Sequence, residues 1–194
     1  MPEYMTPFTT MVNLTNGVIP NAVTVQKRYL KDMEGFFADE IAEEAEMINN
    51  PLLYEVHEAS ENPAEEGQLR YSTTTIYPGK IGNEYYFTKG HYHAIGNRAE
   101  LYMGLAGEGY LLLMTPEGTI NVQHMTPGAM SYVPPFWAHR TINIGKNNFV
   151  FFACYPADAG YDYESIADKG FSQIVVEQDG KPTLIPNPKW VINS

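Results

Sequence analysis

Residues 88–102 read Thr-Lys-Gly-His-Tyr-His-Ala-Ile-Gly-Asn-Arg-Ala-Glu-Leu-Tyr, and the spacing of His91, His93 and Glu100 decides how the rest is read. His91 and His93 stand two apart, so in a strand their imidazoles share one face. Two imidazoles side by side are a chelating arrangement. Gly96-Asn97 is a turn signal that lets the chain reverse and bring Glu100 back beside the rings. A further histidine, His139, follows the run Pro134-Pro-Phe-Trp-Ala and has to arrive from a later strand. Three neutral imidazoles and a carboxylate suit Fe(II), Mn(II), Ni(II), Co(II) or Zn(II) better than Ca(II). Four protein donors leave positions open on an octahedral ion, and catalysis requires an open position. His57 and His124 have no such company and are read as ordinary polar residues.

Outward from this stretch the texture is β-rich. Short apolar or β-branched runs cover Leu52–Val56, Leu69–Tyr77, Tyr85–Thr88, Leu101–Leu105, Tyr110–Met114, Ile120–Gln123, Ala129–Val133, Arg140–Ile144 and Phe149–Tyr155. Turn signals separate them, among them Pro78-Gly79, Pro116-Glu117-Gly118, Pro127-Gly128 and Gly145 to Asn148. Strands at this spacing predict an all-β sandwich or barrel. Before them, Leu30, Met33, Phe36 or Phe37, Ile41, Ala45 and Ile48 fall on one helical stripe, so a helix is predicted over 29–48, stopped at Asn49-Asn50-Pro51. Residues 1–28, with Asn16-Gly17, read as an extended arm. A short helix is expected after Ala157, and Asp179-Gly180 marks a last hairpin turn. The whole chain is read as one domain: arm and helix over 1–50, barrel over 51–160, C-terminal extension over 161–194.

Composition narrows the function. The 194 residues carry a formal net charge of −11 and no run of Lys or Arg, which argues against nucleic acid and anionic membranes as partners. A local pocket can still be positive on a negative protein, so an anionic small substrate stays open. The acidic runs Asp39 to Glu46 and Glu58 to Glu66 are expected to be solvated faces. The single cysteine, Cys154, lies in an apolar run and is expected to be a buried, inert thiol. No signal peptide and no membrane-length apolar run are read, so the cytoplasm is expected.

Gly90-His-x-His with Glu100 and Gly107 resembles the first cupin motif, and Gly128-x5-Pro134 with His139 and Asn143 resembles the second. Six residues separate His93 from Glu100, a longer gap than the usual cupin motif has. With the wording TKGHYHAIGNRAELY, PPFWAHRTINIG and YPADAG, the chain resembles the cupin-type phosphoglucose isomerases over roughly residues 20–190. That resemblance implies a single cupin barrel (a double-stranded β-helix, or jelly roll) with an N-terminal arm and one or two peripheral helices. It implies a homodimer that interconverts glucose 6-phosphate and fructose 6-phosphate in glycolysis and gluconeogenesis. One divalent metal per subunit, Fe(II) favoured, would be held by His91, His93, Glu100 and His139. Tyr54, Thr74, Thr88, Gly90, Tyr155 and Tyr163 would line the sugar phosphate, and Glu100 and Tyr102 would serve catalysis. Tyr161 stands where related archaeal sequences can carry histidine.

The residues themselves add two points. Tyr102 lies two after Glu100 and so shares its strand face. Simple alternation puts Lys89 with His91 and His93, and Thr88 on the other face, whereas the resemblance puts Thr88 and Gly90 at the phosphate. A kink at Gly90 reconciles the two. A cis-enediol route with Glu100 as proton shuttle competes with a metal-assisted hydride shift. The rival functions are a cupin dioxygenase using the same donor set, a non-catalytic sugar-binding or storage cupin, and another sugar-phosphate isomerase or epimerase.

Overall fold

The computed structural model describes residues 4–59 and 63–190. Residues 1–3 of the arm, Glu61 of the second acidic run and residues 191–194 of the C-terminal extension lie outside the described residues. In chain order the strands begin with β1 (Thr24–Tyr29), β2 (Leu52–Glu58), β3 (Leu69–Ile76), β4 (Lys80–Ile81) and β5 (Glu84–Tyr85). They continue with β6 (Glu100–Ala106), β7 (Gly109–Met114), β8 (Ile120–Met125), β9 (Met130–Val133), β10 (Ala138–Asn143) and β11 (Phe149–Pro156). The last hairpin is β12 (Gln173–Gln178) and β13 (Lys181–Pro186). Two short α-helices, α1 (Glu40–Glu46) and α2 (Glu164–Ala167), and a 3₁₀ turn (Leu30–Met33) sit outside the strands.

A six-stranded antiparallel sheet runs β1-β2-β3-β11-β6-β9, a three-stranded sheet β10-β7-β8, and a four-stranded sheet β13-β12-β5-β4. Strand β6 pairs with β11 while β7 pairs with β10, so successive strands find partners in nested order across two sheets. That connectivity is a jelly-roll barrel, the expected all-β fold. Alternation then sorts the side chains. Tyr54 and Val56 on β2, Ser72 and Thr74 on β3, Glu100 and Tyr102 on β6, and Phe151 and Ala153 on β11 all face one internal cavity. β10 and residues 88–91 close its other side. Strand β7 is buried on both faces from Leu111 to Met114.

The arm packs on the outer face of β3. The hydroxyls of Thr73 and Thr75 donate to the carbonyls of Gly17 and Asn16. Gly17 has φ 73°, and a Cβ there would lie 2.8 Å from Val150 Cγ1, so the Asn-Gly turn needs its glycine. At the far end, Asp179 and Gly180 both take positive φ, as a two-residue hairpin turn requires.

The helix expected over 29–48 does not form as one element. Residues 24–29 are a strand, Leu30–Met33 a 3₁₀ turn, and the α-helix spans only Glu40–Glu46. Gly35, with φ 82°, breaks the helical phase, and a new helix starts at Asp39, whose carboxylate caps Ala42 N–H at 3.0 Å. Leu30, Met33 and Phe37 are buried as the stripe predicts, but Ile41 and Ile48 are 83% and 92% exposed. The run Tyr85–Thr88 is likewise strand only to Tyr85, followed by a single bridge from Phe87 to Ile142. The acidic run Asp39 to Glu46 is not wholly solvated: Glu43 is 4% exposed and accepts a hydrogen bond from Gly35 N–H at 2.8 Å. Burial raises its carboxyl above the ordinary range, against the pull of that bond. Cys154 is half-buried rather than buried, and desolvation raises its thiol.

Candidate metal centre

His91, His93, Glu100 and His139 come together with their donor atoms all within 4.8 Å of one another. Glu100 opens β6 and His139 is the second residue of β10. His91 and His139 form a hydrogen-bonded antiparallel pair, with N–H···O distances of 3.2 and 3.0 Å, and their rings lie 4.5 Å apart. Glu100 Oε2 is 3.1 Å from His93 Nε2 and 3.0 Å from His139 Nε2. Separations of about 3 Å are those of donors on neighbouring corners of one coordination sphere with bonds near 2.1 Å.

The hydrogen bonds behind the rings decide what the cluster wants. His93 Nδ1–H donates to the Arg98 carbonyl at 2.9 Å, and His139 Nδ1 lies 3.3 Å from the Trp137 carbonyl. A carbonyl only accepts, so the proton sits on Nδ1 and each Nε2 presents its lone pair to Glu100. His91 Nε2 is buried with no hydrogen-bond partner. Lone pairs converging on a carboxylate in a buried site need a cation, and one divalent ion satisfies all four donors at once. The residues therefore fit a metal.

The charge states agree. Burial, then the neighbouring His139, presses His91 well below its ordinary range, so it is a neutral ligand. For Glu100 burial works upward, but the neighbouring imidazoles of His139 and His93 outweigh it and hold the carboxyl at about 2. Burial also works to lower His93, and its contacts with Glu100 and Arg98 overcome that and raise it. The gap between His93 and Glu100 is anchored at Arg98, whose guanidinium grips Asp158 with contacts of 3.1 and 2.6 Å.

Above the cluster opens a cavity of about 670 Å³. Tyr54, Thr74, Thr88, Gly90, Tyr102, Tyr155 and Tyr163 all line it. The Tyr102 ring lies 5.7 Å from His139, and burial pushes its hydroxyl well above the ordinary range, so it stays protonated. Tyr155 donates to Glu58 Oε1 at 3.2 Å and meets the Tyr161 hydroxyl at 2.7 Å. Tyr161 stands edge-on to His91, centroids 4.8 Å apart. Burial raises Tyr161 to about 12. His57 points away from the cavity from β2, 3.3 Å from Glu55, and His124 is exposed on β8 beside Glu108. Asn143 is a buried brace, donating to the Ile76 and Asn147 carbonyls at 2.8 and 2.9 Å.

The conflict over Lys89 resolves as a bulge. Thr88 N–H donates to the Thr141 carbonyl, and His91 pairs with His139, so Lys89 and Gly90 together face the single residue Arg140. Two residues against one shift the parity of alternation. Thr88 and His91, three apart, therefore both reach the cavity. Gly90 has φ 74°, and a Cβ there would lie 2.9 Å from both Arg140 Cβ and Phe171 Cε2.

Two of the three cations at the cavity, Arg28 and Arg70, escaped the sequence reading; the third, Lys89, is the residue that simple alternation places with His91 and His93. Stepping back in twos along β3 from Thr74 reaches Ser72 and Arg70, a signal that was present. Arg28 was hidden because Thr24–Tyr29 carries no apolar alternation.

Fold and cluster define a class first: a jelly-roll barrel of the cupin type that could hold one metal ion. The chain belongs to the glucose-6-phosphate isomerase family, whose profile matches residues 27–188. It is 50% identical to the glucose-6-phosphate isomerase of Thermococcus gammatolerans over 190 residues, 98% of this chain and 100% of that protein. It is also 50% identical to the Pyrococcus furiosus glucose-6-phosphate isomerase over 188 residues, 96% of this chain and 98% of that one. A solved oxalate decarboxylase from Bacillus subtilis aligns with a TM-score of 0.45 and 21% identity, over 56% of this chain and 26% of its own.

Proposed function

We propose that this chain interconverts glucose 6-phosphate and fructose 6-phosphate, an aldose–ketose isomerisation, in the cavity above His91, His93, Glu100 and His139. One observation carries the proposal. A single cavity on a protein of net charge −11 joins a buried His₃Glu cluster to a wall of hydroxyls and three cations. A phosphorylated sugar asks for both: donors and positive charge for the phosphate, and a site that tolerates charge on its carbonyl end. Family membership points the same way. A dioxygenase for apolar substrates would have no use for such a wall.

A divalent ion held by the four donors, Fe(II) in our reading, supplies Lewis acidity that lowers the cost of negative charge on a sugar oxygen. Glu100 stays ionised and is the carboxylate that takes the C2 proton of the aldose, exchanges it with water and delivers a proton to C1 through a cis-enediol, while the O2 proton passes to O1. Tyr102, on the same strand face and still protonated, offers a neutral hydrogen bond to a sugar hydroxyl. Thr88, the Gly90 backbone and Tyr54 bind the phosphate, with Arg28 and Lys89 adding charge at the mouth. Thr74, Tyr155 and Tyr163 shape the remaining wall.

We further take the whole chain as one domain working in the cytoplasm as a homodimer. Exposed Tyr4, Met5, Phe8, Met11 and Leu14 on the arm and Val25 and Tyr29 on the edge strand β1 support self-association. No helix among the described residues is long and apolar enough to cross a membrane.

The test is a coupled assay with fructose 6-phosphate before and after chelation, repeated in deuterated water. Activity should vanish on metal removal, return with Fe(II), and leave solvent deuterium in the product. Full activity in the metal-free protein would overturn the proposal, and unlabelled product, with internal return of the proton excluded, would replace the enediol by a hydride shift.

A further inference from the structure

In the bulge the carbonyl of Lys89 has no main-chain donor among the described residues. Thr88 is tied to Thr141 and His91 to His139, but the carbonyl of Lys89 sits in the extra step between them. A buried carbonyl without a donor is costly. Its donor is Arg140, whose guanidinium reaches it at 2.8 Å.

Arg140 is unusual in its own right. It is buried and points away from the cavity, while its neighbours His139 and Thr141 line it. Its guanidinium carbon lies 4.3 Å from the Phe87 ring centroid and 4.5 Å from that of Phe171, a cation held between two aromatic faces. Its Nε has no hydrogen-bond partner, and the buried Glu84 lies close enough to offset part of the charge. A chain seeking only stability would fill this slot with an apolar side chain. A planar fork that reaches one main-chain oxygen is what the slot contains.

We propose that Arg140 is a positioning residue: by holding the Lys89 carbonyl it fixes the two-for-one step that turns both Thr88 and His91 into the cavity. Arg140 thus couples the phosphate end of the cavity to the metal end without touching either. The role builds on the isomerase reading, but its metal half can be read without any turnover.

The experiment compares Arg140→Met, which can lie between the two rings but cannot donate, with Arg140→Lys, which keeps one donor. Each is titrated with Co(II), followed by its absorption bands, and assayed with fructose 6-phosphate. Arg140→Met should bind Co(II) several-fold more weakly and raise KM about tenfold, with kcat changed much less. Arg140→Lys should recover part of both losses. In Arg140→Ala, millimolar guanidinium, but not ammonium, should tighten Co(II) binding by refilling the slot. Arg140→Met or, should that variant not fold, Arg140→Ala with Co(II) affinity and KM both within twofold of the parent would overturn the proposal, whatever its melting temperature. A parent protein inactive on fructose 6-phosphate would sink the isomerase reading alone, since the Co(II) titrations still decide the role of Arg140.

Discussion

His139, at the floor of the cavity, is 1% exposed, and Tyr163, at its mouth, is 42% exposed. The contrast extends to how each region is held. Glu100 and His139 sit in paired strands, His91 is bridged to His139, and two of the three imidazoles are backed by main-chain carbonyls. Mouth residues lie on an edge strand and on the loop before α2, and touch one another mainly through rings and hydroxyls. The floor is pre-organised for one task, and its ligands have little freedom to adapt. The mouth has room to accept different polar groups, so it is the region that selects the substrate.

Breaking the floor should have the largest effect. His139→Ala removes a donor and leaves a buried carboxylate facing an empty corner. Metal binding should weaken by more than the roughly 10–100-fold that outer partners of a ligand are worth, and activity should follow it. Elemental analysis of the purified variant reads this directly. A full complement of metal would remove His139 from the site.

Breaking the mouth should cost less and differently. Arg28→Met should raise KM for fructose 6-phosphate about tenfold with kcat nearly unchanged, as loss of a charge-assisted contact predicts. Because Arg28 is partly exposed, added salt should shrink the gap between variant and parent. Steady-state kinetics at two ionic strengths check both statements, and an unchanged KM would remove Arg28 from the phosphate end.

The smallest effect lies off both regions. Glu84 is buried, and desolvation, only partly countered by the Ala38 N–H bond and by Arg140, raises its carboxyl to about 7. Its folded value exceeds the unfolded value of about 4.3, so the folded state holds a proton that the unfolded chain has lost. Its contribution is complete below about pH 4 and is lost as pH rises to about 7, by at most about 4 kcal/mol. Denaturation of parent and Glu84→Gln at pH 5 and pH 8 should show the parent losing ground to the variant at the higher pH. Parallel behaviour would mean that Glu84 titrates normally.

Alternation made the His91–His93 pair and Tyr102 legible in the sequence, because period two is fixed by strand geometry and needs no tertiary information, and the Gly96-Asn97 turn signal added Glu100. Turn residues located most strands to within a residue or two of their ends. What stayed hidden depends on contacts distant in the chain. The parity change at Lys89 and Gly90 follows from pairing with a strand some fifty residues later, so no local pattern announces it. The stripe from Leu30 to Ile48 failed because Gly35 and the Asp39 cap reset its phase, although Leu30, Met33 and Phe37 remained correct as core. Glu43 and Arg140 look like surface residues by type, and only the fold buries them.

The bulge makes chain length, and not only residue identity, part of the site. Adding one residue between Thr88 and His91, with the bulge kept, would leave the two facing opposite sides. Among descendants of this sequence, insertions there should be purged even where a substitution is tolerated. A scan of single-residue insertions scored for isomerase activity on fructose 6-phosphate would show it as a sharp gap spanning Thr88 to Gly90, beside loops such as Thr115 to Gly118 that tolerate an added residue.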